Sequence, residues 1–183
     1  MKIHIFGASG SGTTTLGKAL YEKLGYRHLD ADDYYWERTD PPFQQKVPLS
    51  LRNQRITQDF LAQPDCIISG SMVSWGKEWA SAFDLYVFLY VPPAIRLQRL
   101  KDRELTRYGD ALFSDSTLQQ NSAAFLDWAS QYDDSTFQGR SLTIHLEWIS
   151  RLDGRVLRIE GDRTVGERVG LVLGELENIT PQY

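Results

Sequence analysis

The sequence predicts an α/β fold in which one parallel sheet lies between two layers of helices, and three observations predict it. Strand-like and helix-like segments alternate along the whole chain, the order that right-handed β-α-β crossovers require. The apolar runs Cys66–Ser69 and Leu85–Val91 show no polar alternation, so both faces of those strands should lie beneath helices. The first strand runs directly into a glycine and serine cluster that opens a helix.

The elements follow in order. Lys2–Phe6 is β-rich and reads as the first strand. From Thr14 to Leu24, the residues Leu16, Ala19, Leu20 and Leu24 recur at helical spacing, and Gly25 is placed to end that helix. A short strand over Tyr26–Leu29 leads into the acidic, aromatic run Asp30–Trp36. Asp40-Pro41-Pro42 breaks the chain before a helix over Leu51–Leu61. Gly70 ends the strand at Cys66–Ser69, and Pro92-Pro93 ends the one at Leu85–Val91. A helix rich in arginine and leucine is expected from Ala94 to Arg107, and an amphipathic one over Leu118–Gln131. Val156–Ile159 is the last strand and Val165–Glu177 the closing helix, with no internal repeat.

With 183 residues and 42% hydrophobic content, the chain suits one substantial core, hence a single domain over 1–183. Its 20 basic and 24 acidic residues are mixed, and the net charge of −4 argues against nucleic acid or an anionic membrane as the main partner. Cys66 is the sole cysteine, so no intrachain disulfide can form and a reducing, cytoplasmic setting is expected. No stretch approaches the ~18 apolar residues of a membrane span. No motif specifies an oligomeric state.

The segment Gly7-Ala8-Ser9-Gly10-Ser11-Gly12-Thr13-Thr14 has the GxxxxG spacing of a phosphate-binding loop. In such a loop successive backbone N–H groups converge on phosphate oxygens, and the helix N-terminus adds positive potential. The expected ligand is ATP or another nucleoside triphosphate with Mg²⁺, held by Gly7 through Thr14 together with Thr15. Thr14 can offer its hydroxyl to the metal, but Thr13 stands where a lysine would meet the β- and γ-phosphates. Lys18 cannot serve instead, because it lies roughly 140° around and about 7.5 Å along the helix from Thr13.

Gly7–Thr15 resembles the loop of nucleotide and small-metabolite kinases, in particular the lysine-less Gly-Ser-Gly-Thr-Thr-Thr version of archaeal-type cytidylate kinases. A longer resemblance, to bacterial adenylate-kinase-like proteins of the topology-modulation type, rests on Leu29–Trp36, Ser69-Gly70-Ser71, Asp84–Pro92 and Arg96–Leu100. It implies a P-loop NTPase fold of nucleoside-monophosphate-kinase type, with an acceptor segment at about 36–62 and a helical lid at about 101–140. The activity it implies is Mg-ATP-dependent phosphoryl transfer to a small acceptor: a nucleotide, a nucleoside or a metabolite alcohol. A nucleotide-binding regulatory protein that has lost catalysis with the lysine, and a weak NTPase, are the alternatives.

Asp30 and Asp32 stand two apart, so in an extended segment both carboxylates would point the same way. The region resembles shikimate- and gluconate-kinase-like enzymes, which implies Asp30 on the metal side and Asp32 as the base toward the acceptor. The competing reading is a solvated loop in which Asp33 caps a helix. Arg96, Arg99, Arg103 and Arg107 recur three or four apart, which lines them along one helix face. Arg99, Arg103 and, from the far side of the lid, Arg140 are the expected charges for the transferred group, with Lys77 a further candidate for the missing cation. The resemblance places Arg52 and Arg55 in the acceptor segment. Trp36 and Trp75 follow strands at the sheet edge and could stack on a ring, while His4 and His28 read as structural. His145 has no neighbouring Cys or His to make a metal site.

Overall fold

The computed structural model describes residues 1–179, so the end of the expected 1–183 domain falls outside the described residues. Strands β1 (Lys2–Gly7), β2 (Arg27–Asp30), β3 (Cys66–Ser69), β4 (Leu85–Tyr90) and β5 (Arg155–Glu160) pair in parallel in the order β2-β3-β1-β4-β5. The strand order reverses at the central strand β1, which is where open α/β sheets bind ligands beyond their carboxyl ends.

Alternation along β1 separates two cores. Ile3 and Ile5 pack with Leu16 and Leu20 of α1 (Thr13–Leu24) and with Val172 and Leu176 of α8 (Val165–Ile179). Phe6 faces the opposite side, among Phe88 and residues from α3 (Leu49–Leu61) and α7 (Leu142–Ile149), including Ile56, Phe60 and Trp148. Helices therefore cover both faces, as the unbroken apolar runs require. Beyond the strand ends, α4 (Pro93–Tyr108), α5 (Ala111–Ser114) and α6 (Ser116–Ser130) pack on one another. Among the described residues no helix is long and apolar enough to cross a membrane.

Two elements depart from expectation. The acidic run forms a one-and-a-half-turn helix, α2 (Ala31–Tyr35), capped by Asp30, whose side chain accepts from the Asp32 N–H at 3.1 Å. Asp33 is thus not the cap, because Asp30 is the last extended residue and its carboxylate reaches the open N–H two residues on. For the same reason the two-apart argument fails for Asp30 and Asp32: the first ends a strand and the second already sits in a helical turn. Helix α7 was not legible as a helix. Its sequence LTIHLEWI buries His145 and leaves Leu146 exposed beside Thr143 and Glu147, which blurs the helical pattern, and Ser141 caps it by accepting from the Ile144 N–H at 3.3 Å.

Candidate active site

A cleft of about 1460 Å³ opens at the carboxyl ends of the strands, between the glycine loop, α2 and the α4–α6 layer. The loop is shaped partly by its own packing. A Cβ on Gly7 would strike the Leu89 carbonyl oxygen of β4, and one on Gly10 would lie 2.7 Å from the Arg96 carbonyl oxygen. Gly10 and Gly12 adopt positive φ of 80° and 91°, and Gly12 enters α1 with no side chain capping the helix. The first-turn N–H groups of Thr13, Thr14 and Thr15 therefore face the cleft without intrahelical partners, the arrangement that accepts an anion.

Asp32, Arg103 and Arg140 come together opposite the loop. The Arg140 guanidinium donates to Ser9 Oγ at 2.9 Å and lies over the Trp128 ring at 5.0 Å, while Arg103 lies over Phe125 at 5.5 Å. Asp32 opens into the cleft, yet the surrounding walls displace enough bulk water to hold its carboxyl above the ordinary carboxylate range. The nearby Asp30 charge adds to that rise, and Arg140 and Arg103 oppose it. Burial in turn lowers both guanidinium groups from their ordinary range, with Asp32 opposing.

The remaining arginines of α4 do not act as one row. Arg96 is buried, donates to the Val91 carbonyl at 2.9 Å, pairs with Asp133 and stacks over Tyr132 at 4.9 Å, so it is a core strut. Arg99 lines the cleft but pairs with Asp162 at the end of β5. Arg107 bonds Glu104 at 3.2 Å and lies over Phe43 at 4.3 Å. Helical spacing alone could not separate these roles, since α4 buries the stripe Arg96, Leu100 and Glu104.

Lys77 sits in a 3-10 turn away from the cleft walls and cannot replace the loop lysine there. Three cations that sequence reasoning passed over do line the cleft: Lys46, Arg163 and Arg168. A signal existed for Arg168. It continues the buried stripe of α8, four residues before Val172 and eight before Leu176, where an apolar residue would be ordinary.

On the acceptor side, Arg52 is buried between the rings of Tyr35 at 4.4 Å and Trp75 at 4.5 Å, with its Nε unpartnered. Trp36 and Trp75 both line the cleft. The Ser71 hydroxyl stands 2.8 Å from His145 Nε2, and His145 Nδ1 stands 2.7 Å from the Tyr132 hydroxyl. Burial first, and then Arg140, push His145 down to about 3, so a neutral imidazole orients the Ser71 hydroxyl on the cleft wall. His4 lies stacked between Phe6 and Phe83 and bonds the Gly70 carbonyl at 2.8 Å, and His28 bonds Ser69 Oγ at 2.9 Å. Both are structural positions.

Among the described residues no group of three or more His, Cys, Asp or Glu is gathered to hold a metal ion. Mg²⁺ keeps several waters and takes one or two protein ligands beside phosphate oxygens. Thr14 and Asp30, which line the same cleft, are the residues that fit it, although one Asp30 oxygen is engaged in capping α2.

Comparison with known proteins agrees with this architecture. Residues 3–120 match the AAA domain family. The chain is 42% identical over 176 residues to the uncharacterized protein YqaC of Bacillus subtilis (strain 168), covering 96% of this chain and 97% of that protein. It is 32% identical over 120 residues to the cytidylate kinase of Methanocorpusculum labreanum, covering 57% of this chain and 63% of that enzyme. The fold is similar to that of the shikimate kinase from Acinetobacter baumannii in complex with shikimate, with a TM-score of 0.58 at 18% identity over 99% of this chain and 95% of that one.

Proposed function

Because the chain belongs to the AAA domain family, whose match spans the loop, Asp32 and the arginine-bearing helix, we propose that it is a kinase that transfers the γ-phosphoryl group of Mg-ATP to a small acceptor. The observation that carries this reading is the convergence of Asp32, Arg103 and Arg140 on the cleft into which the uncapped α1 N-terminus opens. Kinases among its relatives act on nucleotides and small metabolites by name, and the acceptor here is of that class: a nucleotide, a nucleoside or a metabolite alcohol.

On this reading the residues divide the labour. Backbone N–H groups of Gly10 and of Gly12 to Thr15 hold the phosphate chain, with Gly7, Ala8, Ser9 and Ser11 shaping the turn, the Ser11 N–H donating to the Ala8 carbonyl at 3.1 Å. Thr14 and Asp30 would hold Mg²⁺, which would supply charge compensation to the phosphates when bound. Asp32 accepts the proton of the acceptor hydroxyl as that oxygen bonds the γ-phosphorus, and the bond to the β-γ bridging oxygen breaks to release ADP. Arg103 and Arg140 meet the charge on the transferred group. The acceptor segment is 36–62 and the lid 101–140, within a domain over 1–183.

A second reading, a nucleotide-binding regulatory protein without catalysis, is favoured by Thr13 alone. Acceptor-dependent ADP formation with a panel of nucleotides, nucleosides and polyols distinguishes the two. The kinase reading expects ADP release that rises with one acceptor and is lost in Asp32→Asn. ATP binding with no turnover across the panel would favour the regulatory reading, and ADP release indifferent to every acceptor would favour an NTPase.

A further inference from the structure

With Thr13 in place of lysine, the first turn of α1 offers the phosphate loop no cation, and two nearby arginines are engaged elsewhere: Arg99 with Asp162 and Arg107 with Glu104. Two cations touch the loop: Arg140 through Ser9 Oγ and, against the loop backbone, Arg168. Arg168, in the first turn of α8, is only 4% exposed and its Nη1 donates to the Ser11 carbonyl at 2.6 Å. The same nitrogen lies 3.0 Å from where a Cβ on Gly12 would sit, and Arg168 lines the cleft beside Gly12 and Thr13.

Its surroundings leave the charge poorly compensated. Among the described residues Arg168 makes no ion pair, and its buried Nε has no hydrogen-bond partner. The charged neighbours that face it are Arg99, which adds repulsion, and Asp162, whose carboxylate is already paired with Arg99. A guanidinium held in such a place by one carbonyl is unsatisfied until an anion arrives.

We propose that Arg168 supplies the bound triphosphate with the positive charge that Thr13 cannot, reaching the phosphate chain from α8 while the Ser11 carbonyl fixes its position. The assignment rests on the nucleotide-binding reading above. A planar guanidinium suits two oxygens of a phosphate chain, and its cost of burial is then offset by the ligand.

Calorimetric titration with Mg-ATP, Mg-ADP and AMP of the wild type, Arg168→Gln, Arg168→Lys, Thr13→Lys and the double variant Thr13→Lys/Arg168→Gln tests this, with thermal unfolding of each unliganded protein alongside. The expected result for Arg168→Gln is a loss of roughly ten- to hundredfold in ATP affinity that shrinks for ADP and vanishes for AMP. Arg168→Lys should keep part of the affinity, and Thr13→Lys should restore most of it in the double variant while adding little on its own. An equal loss for all three nucleotides, no loss at all, or a large gain from Thr13→Lys alone would overturn the assignment. If Arg168→Gln does not fold, Arg168→Lys and Thr13→Lys decide by the same criteria. Wild-type protein that binds no nucleotide removes the functional reading and this assignment together, whereas wild-type binding undiminished in Arg168→Gln removes only the assignment.

Discussion

Asp32 and the arginines that face it are where a single side chain should change chemistry most. Asp32→Asn should lower turnover by roughly two to four orders of magnitude, the usual worth of a positioned base. It should also stabilise the unliganded protein at neutral pH, and the sign follows from linkage. The folded-state carboxyl titrates above its unfolded value. The native protein therefore binds more protons than the unfolded chain in that window, and stability falls as pH rises through it. Thermal unfolding at pH 7 and below pH 4 checks this: the gain from Asp32→Asn should be present at pH 7 and absent at the lower pH. Arg103→Ala should reduce kcat by roughly two to four orders, about 3 to 5 kcal/mol, with a much smaller fall in ATP affinity. Steady-state kinetics on an identified acceptor separate the two parameters. Arg99→Ala should be milder, because Arg99 is shared with Asp162.

At the scale of elements, the sequence was most readable where a pattern repeats and least where burial overrides it. The loop and α1 were legible because glycine spacing, a preceding strand and an apolar 3.6-residue stripe agree. Helix α2 was missed because capping by Asp30 competes with a solvated loop on equal local terms, and only packing decides. Helix α7 was missed because its eight residues put a histidine on the buried face with Trp148 and Ile149 and leave Leu146 exposed beside Glu147, which blurs the amphipathic signature. The cap of α7 is correspondingly important. Ser141 is buried, so Ser141→Ala leaves the Ile144 N–H unsatisfied and should cost about 1 to 2 kcal/mol. Urea unfolding would show it as a lower midpoint with an unchanged slope. Arginine roles in α4 were unreadable for a related reason: periodicity says which residues share a face, and the neighbours supplied by β5 and α6 say what each one does.

Across the whole molecule, two histidines held neutral in the core should set the acid limit of stability. Burial, opposed in part by the Gly70 carbonyl, lowers His4 to about 4, and burial with the Arg140 charge lowers His145 to about 3, against 6.5 for each in an open chain. The unfolded chain thus takes up protons first as pH falls below about 6.5. Each histidine then costs about 1.4 kcal/mol of stability per pH unit until its native value is reached. Urea midpoints should decline steadily from pH 7 to pH 5, less so in His4→Asn or His145→Asn, and a midpoint unchanged over that range would refute the pair's role. The same sheet that buries these rings carries the glycine loop at the end of its central strand, so the fold and the cleft stand or fall together. The most direct test of the account is calorimetric titration of Mg-ATP into the wild type and into Gly12→Val, whose branched side chain cannot adopt φ 91° without strain and would crowd Arg168. The account predicts saturable binding by the wild type and none by the folded variant. No heat of binding at millimolar nucleotide in the wild type, or equal affinity in both proteins, would contradict it.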